Sequence, residues 1–224
     1  MSSEPGILTL GTALRSPSEE FIGATTHGFG FLLSVAASVA LLATILETGS
    51  PWLVLAVGFY CLSLVGVYAA STLSHLYLPE RWNRFFRALD QGFIYLLIVG
   101  TFTPFAVAYL RSPVWLAFSG LILLVGFGGF LSKTVFTHQL EGVAIWLYVA
   151  LGWGEALAIQ PLHTQLPLGA VLWVVAGGLF YTVGTIFLVL DIRKYHFHAI
   201  WHVLVIAGSA CHYWAIFHYV ARLA

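Results

Sequence analysis

An all-α membrane protein, a bundle of seven transmembrane helices, is the architecture this sequence predicts, and three observations predict it. Only 8% of the 224 residues are Asp, Glu, Lys or Arg, against about 25% in an average soluble domain. Apolar residues make up 60% of the chain and the mean hydropathy is +0.92. Those apolar residues gather into seven stretches of about 20, the length that about 30 Å of hydrocarbon demands of a helix rising about 1.5 Å per residue.

The elements follow in order. Residues 1–24 hold Pro5, Pro17, Glu4, Glu19 and Glu20 and lack the apolar core of a secretory signal, so they read as a short cytoplasmic tail. Residues 25–224 form the transmembrane domain. Its first stretch, Thr25–Leu46, stops at Gly49-Ser50-Pro51, and the second, Trp52–Leu76, at Pro79-Glu80-Arg81. The third, Phe86–Leu110, ends at Arg111-Ser112-Pro113. The fourth, Val114–Phe136, runs into a polar segment from Lys133 to Glu141, and the fifth, Gly142–Ile159, ends at Gln160-Pro161. The sixth, Leu168–Leu190, follows Pro167 and stops at Asp191, and the seventh is Phe197–Val220. No linker or composition shift interrupts the series, so it reads as one domain.

Composition also excludes classes of function. Nine Lys and Arg balance nine Asp and Glu, and no basic run exceeds a dipeptide, so nothing here would release counterions from a phosphate backbone and nucleic acid is not a partner. Cys61 and Cys211 both lie in apolar runs and make neither a disulfide framework nor a metal knuckle. With seven spans, the N-terminal tail and the loops after helices two, four and six share one side. That side holds Arg15, Arg81, Arg84, Arg87, Lys133, Arg193 and Lys194, and only Arg111 and Arg222 fall on the other. Basic residues accumulate in cytoplasmic loops, so the N-terminus is expected in the cytoplasm of a plasma (inner) membrane protein and the C-terminus outside. This orientation is opposite to that of G-protein-coupled receptors.

The surplus to be explained is nine histidines in a chain that avoids polarity. In this topology His27, His75, Asp90, His198 and His202 all fall near the cytoplasmic ends of their helices. His75 is about 9 Å from Arg81 and Asp90 about 4 Å from Arg87, counted along the helix axis. Ionisable groups from distant segments at one depth are expected to be partners, because a buried charge in a membrane needs one. Steps of 100° put Ser209, His212 and His202 within about 40° of His198 on helix seven, whereas His196 lies nearly opposite. His198 and His202, at i and i+4, have the spacing that lets two imidazoles take one ion. Ser71 is one turn before His75 on the same face.

Three imidazoles with an open position suit Zn²⁺, since no carboxylate cluster is present for a harder ion. Zinc in such a site lowers the pKa of its water towards about 7. Asp90 is the candidate to accept a proton from that water, Ser71 the candidate to orient it or to donate to an oxyanion, and His27 a candidate support behind the ligands.

Three blocks carry a family resemblance: Glu19-Glu20 with His27-Gly-Phe-Gly30; Ser71-Thr-Leu-Ser-His75 with Ala88-Leu-Asp90 and Gly100-Thr-Phe-Thr-Pro104; and His198-Ala-Ile-Trp-His202. In that order and on those helices they resemble the progestin and adipoQ receptor family and its haemolysin III branch, above all the compact bacterial members. The resemblance implies seven helices with a cytoplasmic N-terminus and a zinc on His75, His198 and His202, with Asp90 beside the metal's water. The chain departs from the pattern at Gly23, where the family usually has Asn.

The leading functional expectation is a zinc-dependent intramembrane hydrolase acting on a membrane lipid, which the family analogy makes a ceramide-like amide. The alternative is a sensor or regulator of membrane-lipid state with structural zinc, and a haemolysin-like pore or transporter ranks third. His138, His163, His196 and His218 are read as loop or interface residues, and His212 as packing. Glu155, near the outer end of helix five, is expected either to snorkel or to line a cavity. Gly126, Gly128, Gly129, Gly177 and Gly178 are expected to permit close helix packing.

Overall fold

A computed structural model of the protein describes residues 17–47, 50–135, 141–190 and 197–222. Within them the chain is helical. The long helices are α1 (Pro17–Leu46), α2 (Pro51–Ser74), α3 (Glu80–Tyr109), α4 (Pro113–Val135), α5 (Glu141–Glu155), α6 (Leu168–Leu190) and α7 (Phe197–Ile216), the last continuing as a π-helical turn, Phe217–Ala221. All but α5 are long and apolar enough to cross a membrane. The protein is a multi-pass, all-helical membrane protein.

Two boundaries differ from expectation. Helix α1 begins at Pro17 rather than Thr25, so Glu19 and Glu20 form its first turn. Proline suits a first helical position, and acidic groups suit a helix N-terminus, where the macrodipole is positive. The second difference is in the fifth stretch. Helix α5 ends at Glu155, a 3₁₀ turn follows at Ala156–Ala158, and one more helical turn covers Ile159–Leu162. The 15 residues of α5 extend only about 22 Å, while residues 141–162 together reach about 33 Å.

Packing explains how the bundle closes. Helix α1 packs on α2, α2 on α3, α3 on α4, α4 and α3 on α5, α5 on α6, α6 on α7, and α7 returns to α1. In the most apolar window of α3, 61% of residues are buried, against 11% in α4 and 17% in α6. Helix α3 is therefore central, and α4 and α6 turn most of their apolar surface outward, which costs nothing where the solvent is hydrocarbon. Hydroxyls and an indole tie the ring together across helices. Tyr148 donates to the Gln91 carbonyl (2.9 Å), and the Trp153 indole donates to Thr182 Oγ1 (3.0 Å). Gly126 and Gly129 meet Val99 and Tyr95 as close packing requires. A Cβ at Gly128 or Gly178 would meet nothing within 4 Å, so those two glycines do not serve that purpose.

Candidate metal centre

The early start of α1 is what builds the site. Glu20, Gly23 and His27 recur at i, i+3 and i+7, within about 60° of one another on one helix face, and that face turns to α2 and α7. His75 ends α2 as its C-cap, and His198 and His202 lie in the first turns of α7. Ligand nitrogens of His75, His198 and His202 all lie within 4.8 Å of one another. His75 and His202 are buried, at 4% and 1% exposure, and His198 is half-buried. The three imidazoles form a cluster able to hold a metal ion.

Hydrogen bonds on the far side of the rings decide which nitrogens point inward. Glu20 Oε2 lies 2.7 Å from His75 Nδ1. A carboxylate only accepts, so Nδ1 carries the proton and Nε2 the lone pair. Thr26 Oγ1 donates to the Ile22 carbonyl (2.8 Å), which leaves the hydroxyl to accept from His202 Nδ1 at 3.1 Å. His202 is thereby also left with its lone pair on Nε2. A partner on the outer nitrogen that fixes tautomer and ring orientation is what metal-ligating histidines require.

Spacing agrees with the donor chemistry. His75 Nε2 and His198 Nε2 are 3.4 Å apart, longer than an ordinary hydrogen bond of about 2.7–3.2 Å. Two imidazoles at about 2.0–2.1 Å from one tetrahedral ion stand about 3.4 Å apart. The pair is therefore spaced as two ligands of one ion.

The surroundings hold these rings in place. His27 stacks on His202 with ring centroids 3.6 Å apart and meets Tyr68 edge-on at 5.3 Å. Arg87 Nη2 reaches Glu20 Oε1 at 3.4 Å, so the carboxylate that orients His75 is itself held by α3. Gly23 acquires a physical reason: a Cβ there would lie 2.7 Å from His75 Nδ1. A larger side chain there would push into the ring that Glu20 fixes. Farther along α7, Ser209 accepts from Tyr68 (2.9 Å) and is bonded to Tyr181 (2.8 Å).

Of the residues singled out from sequence, the structure brings His75, His198, His202 and His27 together. Ser71 is buried at 1% exposure, one turn along α2 from His75. Asp90 is half-buried on α3, three residues past Arg87 and on the same side of that helix. His138, His196, Arg15, Arg193 and Lys194 lie outside the described residues. Sequence reasoning missed Glu20, Thr26 and Arg87 as supports of the cluster. The available signal was the seven-residue interval from Glu20 to His27, which puts both on one face as soon as the helix is allowed to start before Thr25.

A polytopic helical membrane protein with a largely buried three-histidine cluster at one end is the class that fold and site define. A family model described as "Haemolysin-III related" matches residues 15–213, and the chain belongs to the haemolysin-III-related family. It is 34% identical to "Hemolysin-3" of Bacillus cereus over 92% of this chain and 94% of that protein. It is 31% identical to the "Hemolysin-3 homolog" of Bacillus subtilis (strain 168), over 92% and 96%. The human "Monocyte to macrophage differentiation factor" is 25% identical over 76% of this chain and 73% of its own.

Proposed function

We propose that the protein is a zinc-dependent hydrolase of a membrane lipid, with a ceramide-like amide as the substrate class, working near the cytoplasmic face of the inner membrane. One observation carries this reading: three imidazoles share one small volume, and Glu20 and Thr26 turn the lone pairs of His75 and His202 inward. Three neutral nitrogen donors without a carboxylate among them favour zinc over magnesium or calcium. Bound there, zinc supplies a Lewis acid and a nucleophile at neutral pH.

The chain's own groups divide the remaining work. Glu20 and Thr26 hold the rings of His75 and His202, and His27 stacks behind His202 and excludes water from that side. Asp90 is assigned as the proton acceptor. Its half-buried place on α3, one turn from Arg87, supports the assignment. Ser71, in the turn of α2 that leads into His75, is assigned to donate to the oxygen on which charge develops. The test is release of a fatty acid or lipid amine from a mixed lipid extract by the purified protein, compared with a chelator-stripped control. Equal product in the two would remove the reading.

A sensor of lipid state with structural zinc is the second reading, and one observation favours it. A cavity of about 170 Å³ within the bundle is lined by Trp201, Val205 and His212 of α7 but not by the three imidazoles. The name Hemolysin-3 belongs to the Bacillus relative. A pore in this chain would need a polar path, yet Ser119, Ser132, Thr134 and Thr185 of α4 and α6 donate back to carbonyls of their own helices.

The proposed orientation puts the cluster at the cytoplasmic end. Arg81, Arg84 and Arg87 at the start of α3 and Lys133 at the end of α4 support it, against Arg111 and Arg222 at the opposite end. Seven spans follow if residues 141–162 cross as one broken helix. A reporter fused after Ala224 is then expected to read as extracytoplasmic. A cytoplasmic reading would mean an even number of crossings.

A further inference from the structure

Of the three clustered histidines, His75 is the one that ends a helix, as the C-cap of α2. A helix end leaves its last four carbonyls without intrahelical donors, and ends fray. In α2 all four find a donor. The Ser74 hydroxyl donates to the Ser71 carbonyl (2.8 Å), the His75 amide to Thr72 (3.3 Å) and the Leu76 amide to Leu73 (3.2 Å). Those three donors are local. The fourth carbonyl, that of Ser74, accepts from Asn83 Nδ2 in the first turn of α3 at 3.1 Å.

The same nitrogen lies 3.5 Å from the Leu76 carbonyl, so the half-buried Asn83 amide faces the peptide groups on both sides of His75. Carbonyls only accept, which makes the nitrogen, with its two protons, the end that must point there. Asn83 and Arg87 stand at i and i+4 and share a face of α3. Arg87 Nη2 reaches Glu20 Oε1 at 3.4 Å, and the other oxygen of that carboxylate takes the His75 Nδ1 proton at 2.7 Å. The first two turns of α3 therefore hold His75 twice, its backbone through Asn83 and its ring through Arg87 and Glu20.

We propose that Asn83 is a positioning residue of the metal centre, fixing the backbone of His75 in the metal-free protein so that the imidazole is in place before an ion arrives. The inference rests on the zinc reading of the three-histidine cluster and not on hydrolysis. Order already present in the free site is order that binding does not have to create. Loss of an outer partner of a metal-ligating histidine weakens metal binding by about 10–100-fold.

Two readouts separate the clamp from the metal. Amide hydrogen exchange of residues 73–79 in zinc-free, detergent-purified protein reads the backbone alone, and release of zinc from the loaded protein to a competing chelator reads the centre. Asn83→Asp keeps the size and suits the positive end of the helix dipole, but it accepts where it must donate. Asn83→Ala removes the amide altogether. Both are expected to raise exchange in that segment and to speed zinc release by about tenfold or more. Tyr109→Phe, which removes a hydrogen bond from the opposite end of α3 to the Tyr219 carbonyl, is expected to lower the melting temperature and leave both readouts at wild-type values. If melting shows one Asn83 variant to be misfolded, the other decides. Unchanged exchange or unchanged zinc release in a folded Asn83→Asp protein would overturn the assignment, since a residue that only fills space tolerates that change, and so would equal acceleration by Tyr109→Phe. Wild-type protein that takes up no zinc would remove the zinc reading, while the exchange readout would still decide whether Asn83 holds His75.

Discussion

The His198→Ala/His202→Ala protein is expected to emerge from purification with its zinc reduced from about one equivalent to background, because two of the three nitrogens that define the centre are gone. Each single variant should bind more weakly, and the double should not bind at all at micromolar zinc. The loss has a stability consequence. A ligand held only by the folded state adds RT ln(1 + [L]/Kd), about 4 kcal/mol when present at a thousand times its dissociation constant. The double variant should therefore melt well below the wild type, and chelator-stripped wild type should fall most of the way to the same temperature. Removal of His202 also leaves Thr26 Oγ1 and the stacked face of His27 without their partner, so a small further drop beyond the stripped wild type is expected. Zinc analysis and calorimetry on the same detergent-purified samples check both. Retention of zinc by the double variant would end the case for a centre on these residues.

Asp90→Asn is expected to separate chemistry from structure. The amide keeps the size of the carboxylate and its capacity to hydrogen-bond but removes the proton acceptor, so hydrolysis should fall by about 10²–10⁴-fold, the usual worth of a general base. Zinc content and melting temperature should stay at wild-type values. Ser71→Ala should act in the same direction and more weakly, since a water can replace a hydroxyl. Should Asp90→Asn lose zinc together with activity, Asp90 would belong to the metal's own shell, and the role of base would have to pass to another group.

The fold and the histidine cluster are legible in the sequence for different reasons. Twenty-residue apolar stretches bounded by Pro, Gly and charge are a one-dimensional signal, and the helices follow them closely. The signal fails where the chain departs from the simple rule that polar residues end a span. Glu19 and Glu20 read as tail because they are acidic, yet they form the first turn of α1, where the helix dipole favours both and His75 and Arg87 partner Glu20. The fifth stretch reads as one span because Gly152, Gly154 and Glu155, which lead into the 3₁₀ turn at Ala156–Ala158, interrupt the apolar run too weakly to end it there. His75, His198 and His202 are recoverable because i, i+4 spacing and a shared depth survive in sequence. The tautomer-setting bonds are not, since the separations from Glu20 to His75 and from Thr26 to His202 span 55 and 176 residues, and only packing of α1 against α2 and α7 brings them together. Gly23 is the instructive case: as a departure from a family pattern it reads as a lost amide, but in space it is the opening that lets Glu20 hold His75.

The most direct test of a three-imidazole zinc centre is X-ray absorption at the zinc edge of the purified wild-type protein. Three imidazole nitrogens at about 2.0–2.1 Å, with their outer-ring scattering, and one further light atom are expected. A sulfur shell at about 2.3 Å, or fewer than two imidazoles per zinc, would contradict it.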